Sequence, residues 1–513
     1  MEYATFDSRS FTTSTPDDLN TFYSAGAHTL LGYEDGIHHI VERLATLFAS
    51  LRECPSIRFK AGRSSANEDS AMREMLAGRV AGQLSERIAV LQSRLADFPQ
   101  QETCDLLILD RGCDPVAPVV HDWSYECLCH DLLRMRGSQY RYRYTANNGK
   151  TEEKDVPLDE SDPLFREFRS LHVADVLIKV SERMAAFNNK QGGGSKADMS
   201  VGAMKKMVES LPQYREQLQK LSVHTTVAEE LNAAIKLRRL NDLGHLEQEL
   251  IFGEATSKDV LRLLEQLKPT GGTRAGALTG EAASSDRLRL LMCYFGTHAE
   301  KLDGDAGVTK WKSAAALAPD DMSALLNLEL LGCAVLKKPP GSAKSKKQRR
   351  KAPANEEGWD LPKYTPRLHE LAGELARGEL SQEGFPYVNP PVDAGAAQRV
   401  AVGAVPGRSA RSAGTSVRSA RAGAAGGSAA AGAASWARAR GGGADGTPSG
   451  APRARRLVVF IVGPVAYNEL RVAHEASAAL GREVLVGGTS FVTPDEFLAK
   501  LKGLRGSVDL DDL

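Results

Sequence analysis

Two short apolar runs constrain this chain more than anything else in it. Leu106–Leu109 ends at Asp110-Arg111-Gly112, and Leu457–Val462 ends at Gly463-Pro464. An unbroken run of this length, without polar alternation, marks a strand buried on both faces, as in a parallel sheet. Neither strand can stand alone, and most of the chain lies between them. The expected architecture therefore gathers both ends into one sheet and carries the middle as an insertion.

The pattern between the runs is mainly helical. Ile37, Ile40, Val41, Leu44, Leu47, Phe48 and Leu51 recur at helical spacing, Pro55 ends that pattern, and Ser56–Phe59 is a short candidate strand. A second long helix carries Met72, Leu76, Val80, Leu84, Ile88, Leu91 and Leu95, and a third is expected over Val119–Leu133. Tyr140, Tyr142 and Tyr144 alternate with Arg141 and Arg143 ahead of Asn148-Gly149, which predicts a hairpin returning through Val156. From Pro163 to about Gln398 the pattern is helical, broken at Gly192–Gly194, Pro269–Gly272 and Lys337–Ala354. The last break holds eight basic residues between Lys337 and Lys351 and no acid, which reads as a solvated, mobile loop. Ala396–Arg456 is almost wholly Ala, Gly, Ser and Arg with one acid, Asp445, and is expected to be disordered. Order returns as strand Leu457–Val462, helix Tyr467–Leu480, strand Glu483–Val486 and helix Pro494–Leu501.

The fold class is thus α/β: a discontinuous parallel-sheet domain with a large, mainly α-helical domain inserted. The expected segments are 1–208 for the first part of the sheet domain and 209–395 for the helical domain, with its basic loop at 337–354. A disordered loop follows at 396–456, and 457–513 is the returning part of the sheet domain. Lys+Arg and Asp+Glu both number 65, so no global field recruits nucleic acid or anionic membrane. The first ten residues lack the basic and apolar regions of a signal peptide, and no run approaches the roughly 20 apolar residues of a membrane span. Seven scattered cysteines, without a paired zinc spacing, read as reduced thiols in a cytoplasmic protein with no metal and no cofactor.

The densest stretch runs from Leu106 to Trp123, a buried strand feeding a charged turn with Pro115 and Pro118. Asp110 and Asp114 stand at a strand's C-terminal end, where α/β proteins place their sites. They could be catalytic or metal carboxylates, or partners of Arg111 that pin the turn. The second reading is favoured, because nothing nearby supplies a nucleophile with its base or a phosphate loop. Gly463-Pro464 is followed by Val465, Ala466 and Tyr467, not by the Lys and Ser/Thr of a Walker loop. His121 and His224 read as hydrogen-bonded structural residues.

The same stretch resembles the signature of the SM (Sec-one/Munc-eighteen) family, with Asp110, Arg111, Gly112, Asp114, Pro115, Pro118 and His121 in matching places. Cys113 departs from the aromatic or aliphatic residue of many members. Glu53–Phe59, Leu211-Pro-Gln-Tyr214 with Leu221-Ser-Val-His224, and Tyr364-Thr-Pro366 with Phe385-Pro-Tyr387 resemble further family blocks in family order. So do Phe460–Val465, Asn468-Glu-Leu-Arg471 and Val484–Ser490. The match covers about residues 5–503. Cys129–Leu133 and Asp242–Gly253 are most similar to the plant exocytic and cytokinesis branch, and Trp436-Ala-Arg438 points the same way.

The resemblance implies a protein that catalyses no covalent chemistry and binds syntaxin and other SNARE proteins during vesicle docking and membrane fusion. Exocytosis, with cytokinesis as a further setting, is the implied step; a vacuolar or Golgi step, or a truncated scaffold with impaired syntaxin binding, is the alternative. Such a protein is cytoplasmic and meets membranes peripherally through its partners, with no nucleic acid and no small-molecule substrate. The arginine-rich loop is a candidate for weak contact with anionic membrane. Phe22–Phe59 already resembles the opening of the family's second domain, so the family's first α/β domain is expected to be absent and binding of closed syntaxin to be weak. Ser284–Thr297 and Val308–Leu331 read as amphipathic, with Leu288, Leu291, Met292 and Phe295 on one face, and resemble the family's SNARE-facing hairpin, with Pro319, Asp320, Asp321, Met322, Leu325 and Leu331 at its tip and second helix. Helical spacing alone leaves open whether Leu325 and Leu331 are groove or core residues.

Overall fold

Leu106 and Ile108 point into one hydrophobic cluster and Leu107 and Leu109 into another, as the period of two in a strand requires. Val458, Phe460 and Val462 join the first cluster, and Leu457, Val459 and Ile461 the second. The two apolar runs are therefore strands of one sheet, covered on both faces. A computed structural model describes residues 3–15, 17–62, 68–145, 150–192, 201–267, 281–299, 301–337, 350, 358–390 and 455–504.

The strands are β1 (Ala4–Thr5), β2 (Ser10–Thr12), β3 (Pro55–Phe59), β4 (Cys104–Asp110), β5 (Met135–Arg136), β6 (Gln139–Thr145), β7 (Thr151–Pro157), β8 (Arg456–Ala466) and β9 (Val484–Val492). The main sheet has the order β1-β2-β9-β8-β4-β3, and β2, β9, β8, β4 and β3 are mutually parallel neighbours. Leu106 lies opposite Val458 and Ile108 opposite Phe460, so the two distant runs are direct partners. β5, β6 and β7 form a separate antiparallel sheet, with Tyr140 opposite Val156. Asn148-Gly149, expected at its turn, lies outside the described residues.

The first helices are α1 (Asp18–Tyr23), α2 (Leu31–Leu51), α3 (Glu68–Glu74), α4 (Leu76–Arg94) and α5 (Tyr125–Leu132). The inserted region adds α6 (Pro163–Phe168), α7 (Val173–Gly192), α8 (Val201–Leu237), α9 (Leu240–Phe252), α10 (Ser257–Leu267) and α11 (Glu281–Thr297). It ends with α12 (Gly304–Ala315), α13 (Pro319–Leu326) and α14 (Arg367–Arg377), and the tail adds α15 (Tyr467–Leu480) and α16 (Pro494–Lys502). α2 and α4 pack together on one face of the sheet; α14 and α15 cover the other.

Several expectations need correcting. The second long helix is two, α3 and α4, with Met75 between them. The helix expected from Val119 begins only at Tyr125. The preceding backbone bonds elsewhere: the Val173 and Tyr125 N–H groups donate to the Trp123 and Leu171 carbonyls, 2.9 Å each. Leu211–Tyr214 and Leu221–His224, expected on a helix pair, share the single helix α8, and the expected division at 208/209 falls inside it. Val308–Leu331 is no single helix: Ala316 takes a left-handed conformation at φ 50° and ends α12. Neither is α11 amphipathic, since every residue from Asp286 to Phe295 is buried.

Most of the segment expected to be disordered, 396–454, lies outside the described residues, but Arg456 already belongs to β8 and pairs with Glu53 and Glu483. The basic loop lies outside them too, apart from its flanks and Arg350. Arg350 does not float in solvent: Nη1 donates to the Tyr364 hydroxyl (2.7 Å), and the guanidinium is 3.8 Å from Asp114. Phe385-Pro386-Tyr387 is not helical but extended along β3, with Val388 N–H donating to the Ile57 carbonyl (3.0 Å).

The sheet dictates one outcome. A chain ending at Asn389 loses β8 and β9, which splits the sheet into the pairs β1-β2 and β4-β3, each with a newly open edge and uncovered apolar faces. We expect such a chain to aggregate on size-exclusion chromatography; a soluble monomer that unfolds cooperatively would contradict the topology.

Candidate functional site

The signature Asp110–His121 lies where β4 ends against the inserted helices. A parallel sheet points its strand termini at this edge, and α/β proteins commonly bind ligands there. In this chain a side chain fills it. Arg111 is buried, and Nη1 and Nη2 donate to Oε2 and Oε1 of Glu469, both at 2.7 Å. The same guanidinium donates to the Pro464 carbonyl (2.9 Å) and to the Asp114 carbonyl (2.6 Å). The expected pairing of Arg111 with the carboxylates of Asp110 and Asp114 is thus replaced by a fork-to-fork pair with a residue of the returning tail. Asp110 pairs with Lys60 instead, at 2.7 Å. The Asp114 carboxylate accepts from the backbone N–H groups of Ala117 (3.2 Å) and Arg367 (2.9 Å), tying the turn to α14.

Two glycines are required here. A Cβ on Gly112 would lie 2.2 Å from the Leu331 carbonyl, so only glycine lets the inserted helices approach the signature this closely. Gly463 sits at φ 140° in a bulge of β8, and a Cβ there would meet the Arg111 side chain at 2.9 Å. Tyr23 closes the arrangement, accepting from the Arg111 N–H at 2.8 Å and donating to the Val462 carbonyl.

The block Asn468-Glu469-Leu470-Arg471 forms the first turn of α15 and is buried throughout. Asn468 Nδ2 donates to the Ala117 carbonyl (2.7 Å), Glu469 takes Arg111, and Arg471 Nη2 donates to Asp122 (2.8 Å). One helical turn therefore reads three points of the signature. Pro118 lines a cavity of about 20 Å³ beside Asn468, room for a single water.

His121 faces the inserted helices. Its backbone N–H donates to Glu247 Oε2 and its Nδ1 lies 2.9 Å from Glu247 Oε1, while Nε2 is 3.4 Å from Asp286. Burial is the largest influence on the imidazole and pushes its pKa down, as does Arg289; Glu247 and Asp286 outweigh both, so the pKa is raised. Arg289 itself is fully buried on α11 and is bidentate with Asp131 at 2.8 Å on both arms. His130 is the opposite case: burial, with a smaller push from Arg169, holds it down to about 3, and the neutral ring stacks on Tyr467 at 3.7 Å.

His224 lies between the Tyr125 hydroxyl (2.8 Å) and Asp162 (3.0 Å), an order of groups that could relay a proton. His224 and Tyr125 are completely buried and packed against Phe165 and Phe168, so the relay has no path to a substrate. Asp7, Glu160 and His474 converge closely enough to hold a cation, but Arg169 already sits among them, 2.6 Å from Asp7 and 3.0 Å from Glu160.

Of the residues expected to meet SNARE helices, only Pro319 and Asp320 are exposed. Met322, Leu325 and Leu331 are core residues, and Asp321 is buried against Lys502 (2.6 Å) and Ser284 (3.2 Å). The four are supports of this corner and present no free surface, because α13 packs against α11 and α16, and the 3-10 turn Asn327–Leu331, which carries Leu331, packs against α16. Sequence reading missed Glu469, Glu247, Asp286 and Asp131 as partners of the signature and its surroundings. Glu247 had a signal: it falls on the apolar face of α9 with Leu240, Leu243 and Ile251, where an acid needs a buried partner.

The Sec1 family model matches residues 1–500. The chain belongs to the Sec1 family. It is 35% identical over 542 residues to the SNARE-interacting protein KEULE of Arabidopsis thaliana, covering 100% of the chain and 77% of that protein. The Arabidopsis protein transport Sec1a is 32% identical over 526 residues, covering 98% of the chain and 75% of that protein. Among solved structures, the Unc18–syntaxin 1 complex of Monosiga brevicollis superposes with a TM-score of 0.66 at 24% identity, over 97% of this chain and 76% of that one. Vps45 in complex with the Qa SNARE Tlg2 gives 0.64 at 18% identity, over 99% and 77%. These likenesses establish that this is the Sec1-family fold, the SM fold expected from the signature.

The His121 site predicts a pH dependence with a definite sign. Its raised pKa means that protonation stabilises the fold, a contribution fully present below the ordinary imidazole value of 6.5 and lost as pH rises through the raised value. His121→Gln should cost about 3–5 kcal/mol at pH 6, because buried Glu247 loses the cation that it contacts directly, while Asp286 keeps Arg238. The gap between wild type and variant in chemical denaturation should narrow as pH rises to 9; a constant gap would contradict a charged His121.

Proposed function

We propose that this Sec1-family chain is a non-enzymatic regulator of SNARE-mediated vesicle docking and fusion, which works by binding the helices of syntaxin and its SNARE partners. The observation that carries the reading is the 35% identity, along the whole chain, to a protein named for interacting with SNAREs. The two superposed structures whose partners are a syntaxin and a Qa SNARE support the same partner class. Exocytosis, with cytokinesis as a further setting, is the trafficking step we favour, because the relatives at 32–35% identity carry the Sec1 and KEULE names.

The geometry supports a binding role over a catalytic one. The sheet edge that holds ligands in α/β enzymes is occupied by Arg111 and Glu469, and His121 and His224, each beside a carboxylate, are fully buried. Among the described residues no helix is long and apolar enough to cross a membrane, which suits contact with membranes through partners. Weak contact of the arginine-rich segment with anionic lipid stays part of the proposal, although that segment lies outside the described residues.

Pro319 and Asp320, exposed at the start of α13, are the proposed contact points, with Met322, Leu325 and Leu331 fixing that corner from within. Pro319→Ala combined with Asp320→Arg should weaken binding of an assembled SNARE helix bundle at least tenfold by calorimetry, about 1.4 kcal/mol, with unchanged circular dichroism. Unchanged affinity would remove α13 from the interface. A loss at Ile178→Asp, which replaces an exposed apolar residue of α7, would move the interface to that helix. Leu325→Asp is no test of binding, since a charge in the core costs several kcal/mol of stability first.

A further inference from the structure

We draw no further inference here: the strongest candidate, the cleft of about 370 Å³ between α9 and α10, has an apolar floor at Leu246 and Leu263 but charged walls whose pairs Arg239–Asp242 and Arg262–Asp259 close on themselves, and nothing in the structure shows what covers it.

Discussion

Beside the strand pairing of β4 with β8, the returning tail of this discontinuous chain is locked to the signature turn by the buried pair Arg111–Glu469. Its partners stand 358 positions apart, one on the turn after β4 and one in the first turn of α15. Two charges in so dry a place are stable only with most donors and lone pairs engaged, and of the guanidinium nitrogens Nε alone has no partner among the described residues. The neighbours follow from that demand. Pro464 and Asp114 turn their carbonyls to the guanidinium, Gly463 clears space for its stem, and Ala466 gives its N–H to Glu469 at 3.0 Å. Such a pair contributes less to net stability than to uniqueness, because few other arrangements of the tail satisfy both charges.

The same logic spreads outward. His121 joins the signature to α9 and α11, Arg289 joins α11 to α5, and Arg471 joins α15 to Asp122. The inserted helices are thereby fixed to the sheet by buried charges as well as by apolar contact. A protein that presents a surface to other helices needs that surface held still, since each ordered group spared on binding is affinity gained. Rigidity of the α13 corner, built on buried Met322, Leu325 and Leu331, is consistent with that use.

Much of the sheet was legible in advance because buried parallel strands leave an unambiguous apolar run, and helix Tyr467–Leu480 was read to the residue. The breaks in helices were harder. Nothing local announces the left-handed Ala316, and Val119–Ser124 looks helical until the distant Leu171–Val173 backbone takes its hydrogen bonds. The family blocks were recognisable, yet their wiring was not: Arg111 has two acids within three residues and chooses one hundreds of positions away. Core and surface were confused on α11 and α13 for a related reason. Spacing marks an apolar stripe, but a helix buried on all sides, with Asp286 and Arg289 paired inside and Arg287 donating to the Ala315 carbonyl, resembles an amphipathic one in sequence.

The signature organises the fold only if Arg111 and Glu469 act as one unit. A double-mutant cycle with Arg111→Met and Glu469→Leu, followed by urea unfolding, measures this without reference to any partner protein. Each single change should cost about 3–5 kcal/mol, since it strands a buried charge. The double change should cost far less than the sum, with a coupling at or above the upper end of the roughly 0.5–3 kcal/mol range for contacting residues. Additivity within about 0.5 kcal/mol would mean that the tail is held by its strand pairing, apolar packing and other polar contacts, and that the Arg111–Glu469 pair does not organise the fold.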